Sequence, residues 1–338
     1  MSKILMLDCT LRDGGYINDW QFGKEAIFDI EKKLVSTGVD IVEIGFLKNE
    51  IYNPNRTVFS DEKQIEDIIA PKNKDVLYAA MVEVMNPLPI EYISQRTDTS
   101  IDIIRVIVWK RLLKEGFEYC KAITEKGYKV CVQPARVDQY SQQEFVEMVE
   151  LFNNLNPMAV YIVDSWGTQD KEGILRYIEL ADKHLKKDIA LGFHGHNNLQ
   201  QAFGCAEAFA ELGLKRDIII DASIYGIGRG AGNLNLEIFA RYLNIKFDKN
   251  YDITPMLKIY SDYIEKIYKE HPWGYSFPNY LVASYNCNPE YADYYGFKKK
   301  LSLKAISDII SKLKDTDKII FTKDTADSYL EKYLKTRK

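Results

Sequence analysis

The stretch Leu191-Gly192-Phe193-His194-Gly195-His196-Asn197-Asn198 places two of the chain's four histidines two residues apart, directly behind an apolar run. Along a strand, side chains at i and i+2 point to the same side, so both imidazoles address one spot. Imidazole is the commonest side-chain ligand for Zn, Mn, Fe and Co, and a converging pair supplies half of a metal site. Two hydrogen-bonded histidines beside a surface loop would leave the same trace. What the rest of the chain brings to that point decides between the two.

The elements that must position the pair follow from patterning. Eight short apolar, β-branched runs occur at Ile4–Leu7, Ile41–Phe46, Val76–Val82, Ile103–Trp109, Val130–Gln133, Ala159–Val163, Ile189–Phe193 and Ile218–Ala222. Between them lie stretches with helical periodicity, among them Lys24–Ser36, Arg111–Lys126, Ser141–Asn153, Lys171–Lys186, Leu199–Leu212 and Asn233–Leu243. Ser141 with Glu144 three residues on has the form of a capping box. Eight strands alternating with helices over about 245 residues match a (β/α)8 TIM barrel. A doubly wound open sheet shares the alternation, but eight regular units before any change of composition favour closure. After Phe247 the pattern turns to aromatic-rich helices and loops, with helices expected at Met256–Tyr268, Leu303–Leu313 and Thr325–Tyr333. The expected organisation is a barrel over 1–246 and a small helical C-terminal domain over 247–338.

Composition narrows the function classes. The 338 residues are 46% hydrophobic, enough for a large core, and 45 basic against 49 acidic residues are interspersed to a net charge of −4. No basic stripe is available for nucleic acid. No run of about 18 apolar residues suggests a membrane span, and the N-terminus lacks a signal-peptide pattern. Five scattered cysteines without Cys-x-x-Cys spacing argue against a disulfide framework or a zinc knuckle. Reduced thiols and a cytoplasmic location are the expectation.

Active sites of such barrels sit at the C-terminal strand ends. The first run is followed by Asp8-Cys9-Thr10-Leu11-Arg12-Asp13-Gly14-Gly15-Tyr16, the seventh by His194 and His196, and the eighth by Gly226-Ile227-Gly228-Arg229-Gly230-Ala231-Gly232-Asn233. Units seven, eight and one are consecutive around a closed barrel. The Asp13 carboxylate, two imidazoles and the Asn233 amide oxygen therefore converge on one arc of the rim. Two nitrogens with one or two oxygens and open positions suit Mn2+, Mg2+, Co2+ or Zn2+ acting as a Lewis acid.

These three segments resemble the signatures of the metal-dependent aldolase and acyl-transferring lyase/synthase superfamily, which includes 4-hydroxy-2-oxovalerate aldolase, hydroxymethylglutaryl-CoA lyase and the isopropylmalate and homocitrate synthases. Thr10-Leu11-Arg12-Asp13-Gly14, His194-Gly195-His196-Asn197 and Gly226-x-Gly228-x-Gly230-Ala231-Gly232-Asn233 carry the resemblance, which covers roughly residues 1–245. It implies that Asp13, His194 and His196 bind a divalent metal, Mn2+ first among the candidates, with Asn233 a further ligand. It also implies that Arg12 steadies an enolate oxygen. The implied reaction is cleavage or formation of a 4-hydroxy-2-oxo acid, giving pyruvate or a related 2-oxo acid and an aldehyde. A Claisen-type condensation of an acyl-CoA with a 2-oxo acid is the alternative. The implied partners are the two small molecules, a second copy in a homo-oligomer, and an acylating aldehyde dehydrogenase.

One position departs from that pattern. Where the aldolases carry a histidine three residues after the metal aspartate, this chain has Tyr16. Tyr16 then takes over proton transfer with a shifted pKa, or His271 or a metal-bound water does so, or the substrate differs. Glu43 near the end of the second run, Arg136 after the fifth, and Asp164 and Ser165 after the sixth face the same rim and are candidate substrate contacts. Asp164 or Ser165 would equally serve as a helix cap. The glycines after the eighth run formally match a dinucleotide fingerprint, with Asp248 downstream, but they close the barrel pattern rather than open a sheet. Backbone approach to a substrate carboxylate or phosphate suits them better.

Overall fold

A computed structural model describes residues 2–336. It contains strands β1 (Ile4–Asp8), β2 (Ile41–Leu47), β3 (Val58–Phe59), β4 (Leu77–Glu83), β5 (Ile103–Val108), β6 (Lys129–Pro134), β7 (Ala159–Asp164), β8 (Ala190–Gly195) and β9 (Ile218–Ala222). Eight of them run β1-β9-β8-β7-β6-β5-β4-β2 in parallel, and β1 pairs with β2 to close the barrel. All eight apolar runs form its staves. The short β3, which no apolar run announces, pairs with the end of β2 outside the ring. It lies so close that a Cβ at Gly45 would come within 2.1 Å of the Thr57 carbonyl oxygen.

The helices form where periodicity and caps place them. Lys24–Ser36 matches its expected span, and Gln142–Asn153 starts at a capping box: Glu144 N–H donates to Ser141 Oγ at 3.3 Å and Ser141 N–H to Glu144 Oε2 at 2.8 Å. The eighth helix begins at Leu236 rather than Asn233, because Asn233 is held in an antiparallel bridge to His196. The seventh begins at Ala202 rather than Leu199, after a turn in which Gln200 takes a positive φ.

The barrel interior is layered. Ile41, Ile103 and Ile219 lie inside it with Leu7, Ala159 and Tyr161. Two residues further along the same strands, on the same inward face, stand Glu43, Arg105 and Asp221, all at most 2% exposed. A second, larger apolar layer lies between the strands and the helices and takes in Tyr251, Met256, Ile259, Ile264 and Trp273. Residues between Val282 and Tyr333 build a separate cluster around Tyr291, Tyr295, Ile306 and Ile310. The segment Thr254–Glu270 is helical with a π turn at Tyr260–Ile264, and Leu303–Ile310 and Lys323–Lys335 form two of the closing helices. Among the described residues no helix is long and apolar enough to cross a membrane. All five cysteines are buried and unpaired.

Candidate active site

The turn Thr10–Asp13 that follows β1 is fastened from three sides. Cys9 N–H donates to Ala222 O at 2.9 Å, Trp20 Nε1 to Arg12 O at 2.8 Å, and Thr57 Oγ1 to Leu11 O at 2.6 Å. Arg12 and Asp13 are thereby aimed at the barrel mouth, 3% and 1% exposed, and their side chains form an ion pair. Across the mouth, His194 and His196 leave the end of β8 on one side of the strand. One donor atom each from Asp13, His194 and His196 lie within 4.8 Å of one another, the shared reach of a single cation. His196 Nε2 stands 4.0 Å from Asp13 Oδ2.

The donors suit a divalent ion. Burial would raise the Asp13 carboxyl, but the Arg12 guanidinium, with both imidazoles beside it, holds it well below the ordinary carboxylate range. Burial also lowers His196, to about 4, against the pull of Asp13, so its ring is neutral and keeps a lone pair to donate. His194 Nδ1 is turned 2.9 Å from Asp221 Oδ2, leaving Nε2 for a ligand, the usual support of a metal-binding histidine. Asn233 Nδ2 donates to Asp13 Oδ2 at 2.6 Å, and its buried Oδ1 has no hydrogen-bond partner among the described residues. Gly228 presses on this pair: a Cβ there would fall 2.2 Å from Asn233 Nδ2 and 2.5 Å from Asp13 Oδ2.

Beneath the donors runs a buried chain of alternating charge. Asp221 Oδ2 also pairs with Arg105; Arg105 Nη1 donates to Glu43 Oε2 at 2.8 Å; the same oxygen accepts from Arg12 Nε at 2.7 Å. Glu43 thus orients two arginines and does not line the cavity. Arg105 and Asp221 are absent from the sequence reading. Each is a single charge inside a β-branched run, and that interruption is the signal that could have found them.

Remaining candidates fall on two sides. Tyr16 and Ser165 line the cavity of about 770 Å3 above the donors, as do Arg12, Arg229 and His271. Desolvation pushes the Tyr16 phenol up to about 12, with Arg229 acting in the other direction, so it keeps its proton at neutral pH. Arg136 and Asp164 do not line that cavity. Arg136 donates to Asp138 Oδ1 at 2.7 Å and to Asn286 Oδ1 at 3.1 Å and lies over the Trp166 ring, tying the rim to the C-terminal segment. Asp164 accepts from Thr168 N–H and Gln169 N–H at 3.0 and 3.1 Å and shapes its own loop.

Known proteins resemble the chain over most of its length. The family model described as HMGL-like matches residues 3–262. A 4-hydroxy-2-oxovalerate aldolase from Shewanella pealeana is 25% identical over 248 residues, 71% of this chain and 70% of its own length. Among solved structures, the N-terminal domain of a putative aldolase from Bacteroides vulgatus superposes with a TM-score of 0.72 at 22% identity, covering 88% of this chain and 98% of that one. An HMG-CoA lyase from Brucella melitensis gives a TM-score of 0.59 at 14% identity, covering 77% of this chain and 96% of the other.

Proposed function

The chain belongs to the HMGL-like family, and from that premise we propose that it is a divalent-metal-dependent aldolase. Its substrate would be a 4-hydroxy-2-oxo acid, divided into pyruvate or a related 2-oxo acid and an aldehyde. The observation that carries this reading is the buried grouping of Asp13, His194 and His196 beside Arg12 at the floor of one cavity.

Retro-aldol cleavage breaks the C3–C4 bond, releases the C4 hydroxyl proton and leaves an enolate that must take a proton at C3. Negative charge gathers on the C2 oxygen, and preorganised positive groups there lower the barrier. A cation bound by Asp13, His194 and His196, Mn2+ being the first candidate, would supply Lewis-acid polarisation of the 2-oxo group. Arg12, which lines the cavity, contributes a fixed charge with a planar fork of donors; Nε is spent on Glu43 and one Nη on Asp13, and the buried Nη2 has no partner among the described residues. Asn233 and Gly228 hold Asp13 in register. Tyr16, which keeps its proton over the neutral range, donates at C3, and the proton released from the C4 hydroxyl passes to His271 or water in the same cavity. Its place three residues after Asp13 supports that role.

Pyruvate release from a panel of 4-hydroxy-2-oxo acids tests the reading. Activity is expected to vanish on chelation and to return with Mn2+. The variant His194→Ala should lose both bound metal and turnover, the latter by a factor on the order of 1,000 or more; chelator-resistant cleavage by that variant would refute the assignment.

A further inference from the structure

The cavity above Arg12, Asp13, His194 and His196 is larger than a five-carbon hydroxy-oxo acid requires. At about 770 Å3 it falls in the range that accommodates ligands of drug size. Arg12 lines it beside the candidate metal donors, and its fixed positive charge gives a ligand's acidic head its place. The rest of the wall sets three carboxylates and an amide, Glu83, Glu270, Glu290 and Asn288, among aromatic and apolar side chains that include Tyr16 and Trp109.

Among the described residues, neither Glu83 nor Glu270 has a cation within ion-pair distance; Glu83 instead accepts from Trp109 Nε1 at 2.7 Å. Arg229, the guanidinium on this wall, is already matched by Glu290 at 3.0 Å and by Asn288 Oδ1 at 3.3 Å. Ionised carboxylates accept hydrogen bonds and cannot donate them. Such a wall answers hydroxyl donors and opposes a phosphate or the phosphate-rich handle of a CoA thioester. Flat aromatic faces beside acceptors complete a surface suited to the alternating C–H and O–H of a polyol.

We propose that the aldehyde half of the substrate is an unphosphorylated chain of hydroxyl-bearing carbons, so that the enzyme works on 4-hydroxy-2-oxo sugar acids longer than five carbons. This rests on the aldolase reading above. Atoms balance without a further reactant: the C3–C4 pair passes to the enolate, the C4 hydroxyl becomes the aldehyde as its proton leaves, and C3 gains one proton.

Two measurements on the full-length, Mn2+-loaded protein separate the claims. The first follows deuterium entering the methyl group of pyruvate in D2O with no aldehyde present, which reads enolate formation alone. The second measures kcat/KM for condensing pyruvate with acetaldehyde, erythrose, arabinose and erythrose 4-phosphate. Erythrose or arabinose is expected to exceed both acetaldehyde and the phosphorylated sugar by about tenfold, the worth of one or two net hydrogen bonds. In Glu83→Gln and Glu270→Gln the preference over the phosphorylated sugar should shrink by about threefold, as a carboxylate's charge is lost from the wall. Exchange with acetaldehyde or the phosphorylated sugar equal or better overturns the polyol assignment and leaves the aldolase standing. Absence of exchange removes the aldolase reading and the polyol with it.

Discussion

At the scale of single residues, the telling feature is a layer of charge built into an apolar barrel. Glu43, Arg105 and Asp221 sit two residues beyond Ile41, Ile103 and Ile219, and they connect Arg12 to His194 through shared oxygens. Arg105 is the link whose loss separates structure from function. Replacing it by Met leaves Glu43 with Arg12 alone and Asp221 with the His194 ring alone, and breaking a buried pair in this way should cost about 3–5 kcal/mol of stability in urea unfolding. It should also weaken Mn2+ binding by about 10–100-fold in calorimetry, because Asp221, which fixes the His194 ring, loses its anchor. Unchanged metal affinity in a folded variant would make the layer purely structural. The grouping of Asp13, His194 and His196 was legible in the sequence because His-x-His and Thr-Leu-Arg-Asp-Gly are local patterns. Glu43 was legible only as a rim residue: its partner Arg105 is distant in sequence, and a spacing argument carries no information on which inward side chains meet. Asp221 was hidden the same way inside Ile218-Ile219-Ile220-Asp221-Ala222.

At the scale of elements, periodicity located every barrel strand, and boundaries slipped where tertiary contacts outbid local preference. The helix expected from Asn233 starts later because that residue is held in a bridge to His196. β3 escaped notice because two residues carry no period; Gly45 and the Thr57 carbonyl bring it into place. Where local signals were reciprocal, sequence and structure coincide. Ser141 and Glu144 satisfy each other's backbone groups, so Ser141→Ala is expected to lower stability by about 1 kcal/mol, with the unfolding midpoint in urea shifting and its slope unchanged. A variant as stable as the parent would show that packing of Phe145, Met148 and Phe152 alone holds this helix.

At the scale of the whole molecule, burial sets the response to pH. The carboxyl of Asp8, fully enclosed below the site, is pushed up to about 7 by desolvation, opposed by hydrogen bonds from the Thr10 hydroxyl and N–H. An unfolded chain releases that proton near pH 4. Between about pH 4 and 7 the folded protein therefore holds on Asp8 a proton that the unfolded one has lost, and this group's contribution favours unfolding by about 1.4 kcal/mol per unit of rising pH, set against the opposite contribution of His196. Asp8→Asn should remove this contribution from the stability curve in urea titrations at a series of pH values; an unaltered slope would assign the effect elsewhere.

The barrel is sealed where its first strand meets its last, β1 against β9, and the donors stand on either side of that seam. During synthesis Asp13 emerges early, and it must wait for the histidines and then for the final stave before it has neighbours to share an ion with. A divalent ion bound by these donors would in this way certify completed closure: a truncated or half-wound chain has the three residues in its sequence and no site in space.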